Sequence, residues 1–312
     1  MEFIRGIHNL PTRNHGCVLT IGNFDGFHRG HQALIAELQV EARRRGLPVI
    51  VMVFEPQPEE HFTGNAAPAR LSRLRDKVKY LESAGVDGVL CLTFNKRIAT
   101  LSARTFVMDL LVQKLGVRFI CVGADFRFGA QRQGDYTLLS QAGKEAGFEV
   151  MSTVTYYTEC GLRISSTAVR EALAQDRLLE AKMLLGHPYR LSGRVVHGNA
   201  LGRTIGFPTA NISLKGRKVP INGVYAVEVY GILNRPLPGV ANIGTRPMVP
   251  GNCQQLEVHL LDVAMNLYGS HIEVVICMKV RNERRFSSLD DLKRQITNDV
   301  VSARNYFWLA TH

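Results

Sequence analysis

The sequence predicts an α/β domain with a doubly wound parallel sheet, followed by an antiparallel β-barrel that ends in a helix. In the first half, short apolar runs of strand length alternate with amphipathic runs of helix length, which is typical of βαβ units. Near Gly186 this periodicity stops, and short β segments separated by turn residues follow. With 312 residues, the chain is long enough for two hydrophobic cores. We therefore predict two domains, residues 1–186 and 187–312.

Each predicted element corresponds to one such run. The strands of the first domain are predicted at Cys17–Ile21, Val49–Phe54, Val86–Leu92, Phe119–Val122 and Val150–Val154. Its helices are predicted at 32–45, 71–84, 103–115 and 136–146. The second domain is predicted to contain strands Leu191–His197, Val224–Tyr230, Gly239–Ile243, Leu256–Leu261 and Ile272–Val280, and a final helix Leu289–Trp308.

Composition excludes several classes of protein. No apolar run approaches the ~18 residues that span a bilayer, and the N-terminus lacks the layout of a signal peptide. The six cysteines are scattered without a CxxC pair, so neither zinc nor a disulfide framework is indicated. We expect a cytoplasmic protein with no membrane partner. The sequence leaves the oligomeric state open between a monomer and a weak oligomer.

The net charge of +11 raises the question of nucleic-acid binding. Its densest clusters, Arg43–Arg45 and Arg70–Lys79, fall on predicted helices, where charge runs usually form solvated faces. The sequence contains no basic motif interleaved with aromatic residues. We therefore do not expect nucleic acid as the primary partner, and a basic protein also suits polyanionic ATP.

The string GNFDGFHRGH, residues 22–31, connects the first buried strand to a helix. A helix start offers free backbone N–H groups and the positive end of the helix dipole, and both favour phosphate. Gly22 and Gly30 allow close approach of the backbone, and His28 and His31 add imidazole donors. The alternative is an ordinary strand–helix turn with polar surface histidines. From glycines alone, the two interpretations are about equally favoured.

The HxGH element resembles the nucleotidyltransferase superfamily, and the full string resembles bacterial bifunctional riboflavin kinase/FMN adenylyltransferases, also called FAD synthetases. This resemblance implies that His28 and His31 stabilise charge at the α-phosphate of ATP during adenylyl transfer. It also implies ATP contacts by Gly22, Phe24, Asp25 and Gly30.

Two further turns follow predicted parallel strands, so they should lie at the same sheet edge. Alone, the segment from Gly123 to Gly129 suggests a solvent-facing loop with a tucked aromatic ring. The family carries similar segments beside its flavin. The residues implied as flavin-binding are Phe54, Pro56, Asp125, Phe126 and Phe128.

The segment RISSTAVR, residues 163–170, has Ser and Thr before an apolar-periodic run, the signature of a helix N-terminus. A helix cap alone would explain it, but Arg163 and Arg170 add positive charge at the dipole's favourable end. The string resembles the second ATP signature of the superfamily. Arg163, Ser166, Thr167 and Arg170 are therefore implied as ATP-binding, with the last three holding the β,γ-phosphates.

The predicted barrel has its own glycine-rich string, which ends in GRTIGFPTAN at residue 211. Such segments in barrels are often only tight turns, although glycines can wrap an anion, and Thr209 and Asn211 offer the neutral oxygens that suit Mg²⁺. The string resembles the flavokinase motif. That resemblance implies Mg²⁺ at Thr209 and Asn211, and ATP contacts at Gly198, Gly202, Arg203, Gly206, Pro208, Thr209 and Asn211.

Glu257 is the catalytic candidate of the barrel. Strand alternation places it on one face with His259, which by pattern alone favours a solvated face. In flavokinases, the matching glutamate is the general base for the ribityl hydroxyl. Asn242–Pro247 and Tyr268–Gly269 also resemble family segments, whereas Met248 replaces the usual Thr.

The resemblance implies a two-step enzyme with ATP as co-substrate, Mg²⁺ as cofactor, and riboflavin, FMN and FAD as substrates or products. Within the enzymes, other HxGH families adenylylate nicotinamide or pantetheine phosphates. Outside the enzymes, a flavin-binding or nucleic-acid-binding protein without turnover is the alternative.

Overall fold

The computed structural model describes residues 1–10, 16–198, 201–245, 254–263 and 265–311. The chain forms two compact units, Met1–Pro68 with Ser72–Ser165 and Ala69–Leu71 with Ser166–His312. The second unit therefore includes the helical residues after Ser165 as well as the barrel. The domain boundary near residue 186 stays a prediction. Arg246, Pro247 and Met248 lie outside the described residues.

A six-stranded parallel sheet forms the centre of the first unit, in the order β1-β4-β3-β2-β5-β6. Its strands are β1 Glu2–Arg5, β2 Cys17–Ile21, β3 Val49–Phe54, β4 Gly88–Leu92, β5 Val117–Gly123 and β6 Glu149–Thr153. The predicted parallel sheet is confirmed. β1 was not predicted, because only Ile4 of its four residues is buried and so the strand has almost no apolar pattern.

Helices cover both faces of this sheet. They are α1 Arg29–Arg45, α2 Pro58–Thr63, α3 Leu74–Ser83, α4 Lys96–Ala99, α5 Ala103–Thr105, which continues as a π-helix Phe106–Lys114, and α6 Tyr136–Ala146. One core contains Leu19, Met52 and Phe106, and a second contains Val18, Val51 and Leu38. Neighbouring residues of β2 therefore enter different cores. A sheet buried on both faces is the doubly wound arrangement.

The second unit contains a closed barrel of antiparallel strands in the order β10-β11-β8-β7-β12-β9. Its strands are β7 Arg190–Val196, β8 Ala210–Ile212, β9 Gly223–Tyr230, β10 Leu237–Thr245, β11 Gln254–Leu260 and β12 His271–Arg281. Its helices are α7 Ser166–Ala174, α8 Leu178–Leu185, α9 Leu201–Thr204 and α10 Leu289–Thr311. The predicted barrel and final helix are confirmed, and β8 is an additional short strand.

The helix pair α7–α8 is tied to the barrel through Asp176, which lies between the two helices. Its carboxylate accepts a hydrogen bond from the Tyr225 hydroxyl at 2.7 Å and lies 2.9 Å from Lys279 Nζ. Tyr225 is fully buried, and Lys279 pairs with it across β9 and β12. The barrel therefore uses a residue from outside its strands to satisfy an interior hydroxyl.

Within the described part of the chain, no helix has both the length and the apolar character needed to cross a membrane. Cys17, Cys91, Cys121, Cys160 and Cys277 are all free thiols.

Candidate active sites

The Gly22–His31 turn lies where the central strand β2 gives way to α1. Three of its residues adopt left-handed backbone conformations, with φ of 47° at Phe24, 81° at Gly26 and 45° at Phe27. For bulky side chains this conformation is strained, and such strain is concentrated at functional sites. The predicted helix start is confirmed, since His28 caps α1 with its Nδ1 accepting from the His31 N–H at 3.3 Å.

Asp25 supports this turn from within. It is 1 % exposed, and its Oδ1 accepts hydrogen bonds from the Ser72 N–H at 2.9 Å and the Ser72 hydroxyl at 3.2 Å. The Gly26 N–H in turn donates to the Ser72 oxygen at 3.0 Å. These contacts give the carboxylate a structural role. The contact between Asp25 and ATP stays a prediction.

The two histidines stack on each other, with ring centroids 3.6 Å apart and planes inclined by 17°. Phe24 packs on His31 from another side at 4.7 Å. Burial, the neighbouring His28 and the Lys77 ammonium hold the pKa of His31 well below its ordinary value. His31 is therefore neutral at pH 7, and its buried Nδ1 has no hydrogen-bond partner among the residues that the structure describes.

A cavity of about 290 Å³, called here the histidine cavity, opens over this turn. It is lined by Gly22, Phe24, His28, Gly30 and His31, and also by Asp125, Phe126, Tyr156 and Arg163. Arg163 Nη2 lies 3.1 Å from Asp125 Oδ2, and both side chains are exposed. A Cβ at Gly30 would lie 3.2 Å from His28 Nδ1, so a side chain there would press on the His28 ring. The structure thus brings together residues 22–31, 125 and 163.

A larger space of about 670 Å³, called here the aromatic cavity, shares Ile21 and Phe126 with the histidine cavity. Its aromatic lining comprises Phe54, His61, Phe62, Phe94, Phe106, Phe126 and Phe128. Three of the five residues predicted to bind flavin therefore line it. Pro56 and Asp125 do not, and Asp125 lines the histidine cavity instead. His61 and Phe62 lie on the short helix α2, and Phe94 lies between β4 and α4. They were missed, because these segments are outside the family motifs and carry no sequence signal for a pocket.

Ser166, Thr167 and Arg170 lie in the first turns of α7, where the sequence predicts a helix start. All three belong to the second unit. Arg170 Nε donates to the Ala69 carbonyl at 2.7 Å. Their contacts with triphosphate stay a prediction.

In the barrel, a cavity of about 290 Å³, called here the glutamate cavity, contains Glu257. Strand register places Glu257 opposite Asn211 on β8 and opposite Asn242 on β10. Gly202 and Thr209 also line the cavity. Glu257 and His259 alternate with buried aliphatic residues on β11, as predicted. The motif and the glutamate, almost fifty residues apart in sequence, therefore face one space.

Several residues of the glutamate cavity were missed by sequence reasoning. Arg281 forms a bidentate ion pair with Asp299, which is 2 % exposed, at 2.8–3.1 Å. Glu283 lies against Gly244, where any Cβ would overlap its carboxylate. Arg284 packs over the Phe286 ring at 4.8 Å. These residues come from β12, the loop after it and α10, and no local motif marks them.

A second barrel cavity of about 270 Å³, called here the polar cavity, meets the glutamate cavity at Asn211. His197, Gly198, Ser213, Lys215 and Gln254 line it. Gly198 is packed against the Asn211 amide. The remaining motif residues, Arg203, Gly206 and Pro208, are exposed and line neither cavity.

The donors at the glutamate cavity suit a hard cation that keeps most of its other ligands. Among the described residues, no cluster of three or more His, Cys, Asp or Glu side chains forms a cage. The neutral oxygens of Thr209 and Asn211 are the sparse oxygen set that Mg²⁺ uses when phosphates and water complete its shell.

In comparisons with known proteins, two family models match separate parts of the chain. The FAD synthetase family model matches residues 10–168, and the riboflavin kinase family model matches residues 185–307. The residues 169–184 between the two matches include most of α7 and α8.

Full-length relatives were also found. A bifunctional riboflavin kinase/FMN adenylyltransferase of Escherichia coli K12 is 62 % identical over 310 residues, 99 % of each chain. One of Haemophilus influenzae is 51 % identical over 98 % of this chain and 99 % of its own. A crystal structure described as a macrolide-efflux protein of Streptococcus pneumoniae superimposes with a TM-score of 0.81 at 30 % identity, covering 98 % of this chain and 99 % of that one.

Proposed function

The chain belongs to the family of bifunctional riboflavin kinase/FMN adenylyltransferases, and we propose that the cavities described above carry its two activities. It phosphorylates riboflavin to FMN and then adenylylates FMN to FAD. The observation that carries our residue assignment is that motif residues distant in sequence line one cavity, once in each unit.

For the kinase, we assign the glutamate cavity to riboflavin and the polar cavity to the nucleotide. The glutamate cavity has the apolar walls that a flavin ring needs, including Phe207, Val240 and Phe286. The polar cavity offers Lys215 and the Gly198 backbone instead. Asn211 lines both cavities, so the transferred phosphoryl group would pass beside it.

Glu257 acts as the general base in this step. It accepts the proton of the ribityl 5′-hydroxyl while that oxygen forms its bond to the γ-phosphorus, and ADP leaves with the electron pair of the broken P–O bond. Asn242 and Asn211 flank Glu257 on the neighbouring strands. Thr209 and Asn211 would hold Mg²⁺, which supplies neutralisation of phosphate charge when bound.

Adenylyl transfer takes place in the histidine cavity, with the flavin ring in the adjoining aromatic cavity. An FMN phosphate oxygen attacks the α-phosphorus of ATP, and pyrophosphate leaves with the electrons of the broken bond. Because a phosphate monoester is already ionised at pH 7, this step needs no base. His28, His31 and the N–H groups of the turn instead stabilise the charge that develops at the α-phosphate.

We place the protein in the cytoplasm. Its five described cysteines are free thiols, and three of them, Cys17, Cys91 and Cys121, are buried in the core of the first unit. Burial raises the pKa of Cys121 to about 12, so that thiol is unreactive. Reduced cysteines in these positions suit a reducing compartment.

The direct test is to incubate purified protein with riboflavin, ATP and Mg²⁺ and to separate riboflavin, FMN and FAD over time. FMN should appear first and then convert to FAD. A parallel reaction without Mg²⁺ should show neither product. FMN without FAD would contradict the assignment of the histidine cavity, and turnover without added divalent cation would contradict the assignment of Mg²⁺.

A further inference from the structure

The segment 154–165, which follows β6, forms a small hairpin at the histidine cavity and is called here the cavity hairpin. The Ile164 N–H donates to the Tyr156 carbonyl at 2.9 Å, and Tyr157 pairs with Arg163 in an antiparallel bridge. Most residues of this segment are exposed, but Tyr156, Arg163 and Ile164 line the histidine cavity. The cavity hairpin therefore forms one wall of the space to which we assign ATP.

Tyr156 attaches the cavity hairpin to α1. Its hydroxyl donates a hydrogen bond to Glu37 Oε1 at 2.5 Å. Its ring lies beside Gly30, where a Cβ would be 3.6 Å from Tyr156 Cδ2. Burial and the hydrogen bond to Glu37 raise the pKa of Tyr156, so the hydroxyl keeps its proton and donates it. The hairpin is thus joined to the helix whose first turn contains His31.

A second side-chain contact of the cavity hairpin is of a different kind. Arg163 Nη2 lies 3.1 Å from Asp125 Oδ2, with the two side chains 59 % and 86 % exposed. Exposed ion pairs contribute little, because water and salt compete with them. The Tyr156 hydroxyl instead donates to a carboxylate from a partly buried position, which makes a stronger hydrogen bond. One contact is therefore firm, and the other is easily exchanged for another anion.

We propose that Tyr156, held by Glu37, is a positioning residue for ATP in adenylyl transfer. When Arg163 exchanges Asp125 for a phosphate of ATP, Tyr156 keeps the cavity hairpin on α1, so the arginine changes partner while its backbone stays in place. A segment that is already held loses less conformational entropy when it binds a ligand. This inference rests on the proposed role of Arg163 in ATP binding.

The first test compares full-length Tyr156→Phe and Tyr157→Phe with the wild-type protein. Tyr157 is 60 % exposed, so its variant removes a hydroxyl from the same hairpin without reaching α1. With FMN as acceptor, Tyr156→Phe should raise the KM for ATP about tenfold and leave kcat nearly unchanged. Tyr157→Phe should keep the wild-type KM, and riboflavin phosphorylation should be unchanged in both variants. A wild-type KM in Tyr156→Phe, or a loss confined to kcat, overturns the proposal.

A double-mutant cycle tests whether Tyr156 acts through Glu37. Glu37→Ala should raise the KM for ATP as far as Tyr156→Phe does, and the double variant should raise it no further, because each change breaks the same hydrogen bond. Glu37→Gln retains an oxygen that can accept this bond, so it should restore part of the affinity. Additive effects of the two single substitutions would overturn the proposal, since the residues would then act separately.

Amide hydrogen exchange followed by mass spectrometry reports on the cavity hairpin without any turnover. Without ATP, the peptide covering residues 154–165 should exchange faster in Tyr156→Phe than in Tyr157→Phe or the wild-type protein. Equal exchange in all three proteins overturns the proposal, even if the Glu37 variants do not fold. An unchanged KM for ATP in Arg163→Gln would instead contradict the proposed function, and the exchange measurement would still show whether Tyr156 holds the hairpin.

Discussion

The histidine cavity and the glutamate cavity, to which we assign the two ATP-dependent reactions, are built from different groups. The first offers imidazoles and backbone N–H groups, and Asp125, the one carboxylate among its described lining residues, is paired with Arg163. The second contains Glu257 between two asparagines on adjacent strands. The nucleophiles account for the difference. A phosphate arrives ionised, whereas a hydroxyl must lose a proton as it attacks.

The supports of the two sites differ as well. The Gly22–His31 turn has a strained backbone, which is supported by the buried Asp25 and by stacked rings. The glutamate is held by strand register, since each neighbour of Glu257 is fixed by the ladder of the closed barrel. A site on a turn therefore depends on the residues packed beneath it, and a site on a barrel strand depends mainly on the integrity of the sheet.

The largest expected effect on activity follows substitution of the proposed general base, Glu257. Glu257→Gln keeps the shape of the side chain but cannot accept the proton, so riboflavin phosphorylation should fall by about 10²–10⁴-fold. FAD formation from supplied FMN should be unchanged. The matched control is Glu228→Gln, on β9 and outside the glutamate cavity. Steady-state rates with riboflavin and with FMN measure both effects, and full kinase activity in Glu257→Gln would remove that residue from its role.

His31→Ala should have the opposite selectivity. It removes a donor from the developing charge at the α-phosphate, so FAD formation should fall by about 10²–10³-fold while FMN formation continues. The exposed His8, also in the first unit, provides the control variant His8→Ala. Loss of both activities in His31→Ala, measured on folded protein, would contradict the separation of the two sites.

Truncation tests how far the barrel is self-sufficient. A fragment 187–312 should phosphorylate riboflavin without forming FAD, but it leaves the Tyr225 hydroxyl and Lys279 without Asp176. We expect it to be less stable than a fragment 166–312 by about 1–3 kcal/mol. Denaturant unfolding of the two fragments measures this difference. Equal stability would show that Asp176 contributes nothing to the barrel.

The smallest expected effect is proton uptake when ATP binds. The pKa of His31 is low in the free protein, and the negative charge of bound ATP should raise it. Between the two pKa values, binding takes up a proton, so the affinity for ATP should increase as the pH falls through that interval. Calorimetry in buffers of different ionisation enthalpy measures the uptake. His31→Asn should abolish it, and uptake that persists in this variant would assign the proton to another group.

The sequence predicted the fold wherever burial leaves a pattern along the chain. The fully buried strands β2 to β4 are almost continuous apolar runs, and the barrel strand β11 alternates between buried and partly buried residues. The two strands that were missed, β1 and β8, are only four and three residues long. Strands this short are defined by the strands they pair with, and the local sequence does not indicate those partners.

The same distinction between local and non-local signals applies to the residues of the two sites. Residues within motifs, such as His31 and Asn211, could be found because their chemistry and their spacing are both local. Asp299 could not, since its role depends on Arg281, a residue in another element. Asp25 is a different case, because the resemblance implies an ATP contact and could not indicate that its carboxylate accepts hydrogen bonds from Ser72.

The closed barrel also determines where these molecules could aggregate. Every barrel strand has a neighbour on both sides, so its backbone offers no row of unpaired groups to another chain. The parallel sheet instead ends at β1 and β6, each hydrogen-bonded to only one strand of the sheet. Edge-to-edge growth into larger aggregates would therefore start from the adenylyltransferase unit. Charged or proline substitutions along β6 would be the rational way to improve the shelf life of the protein.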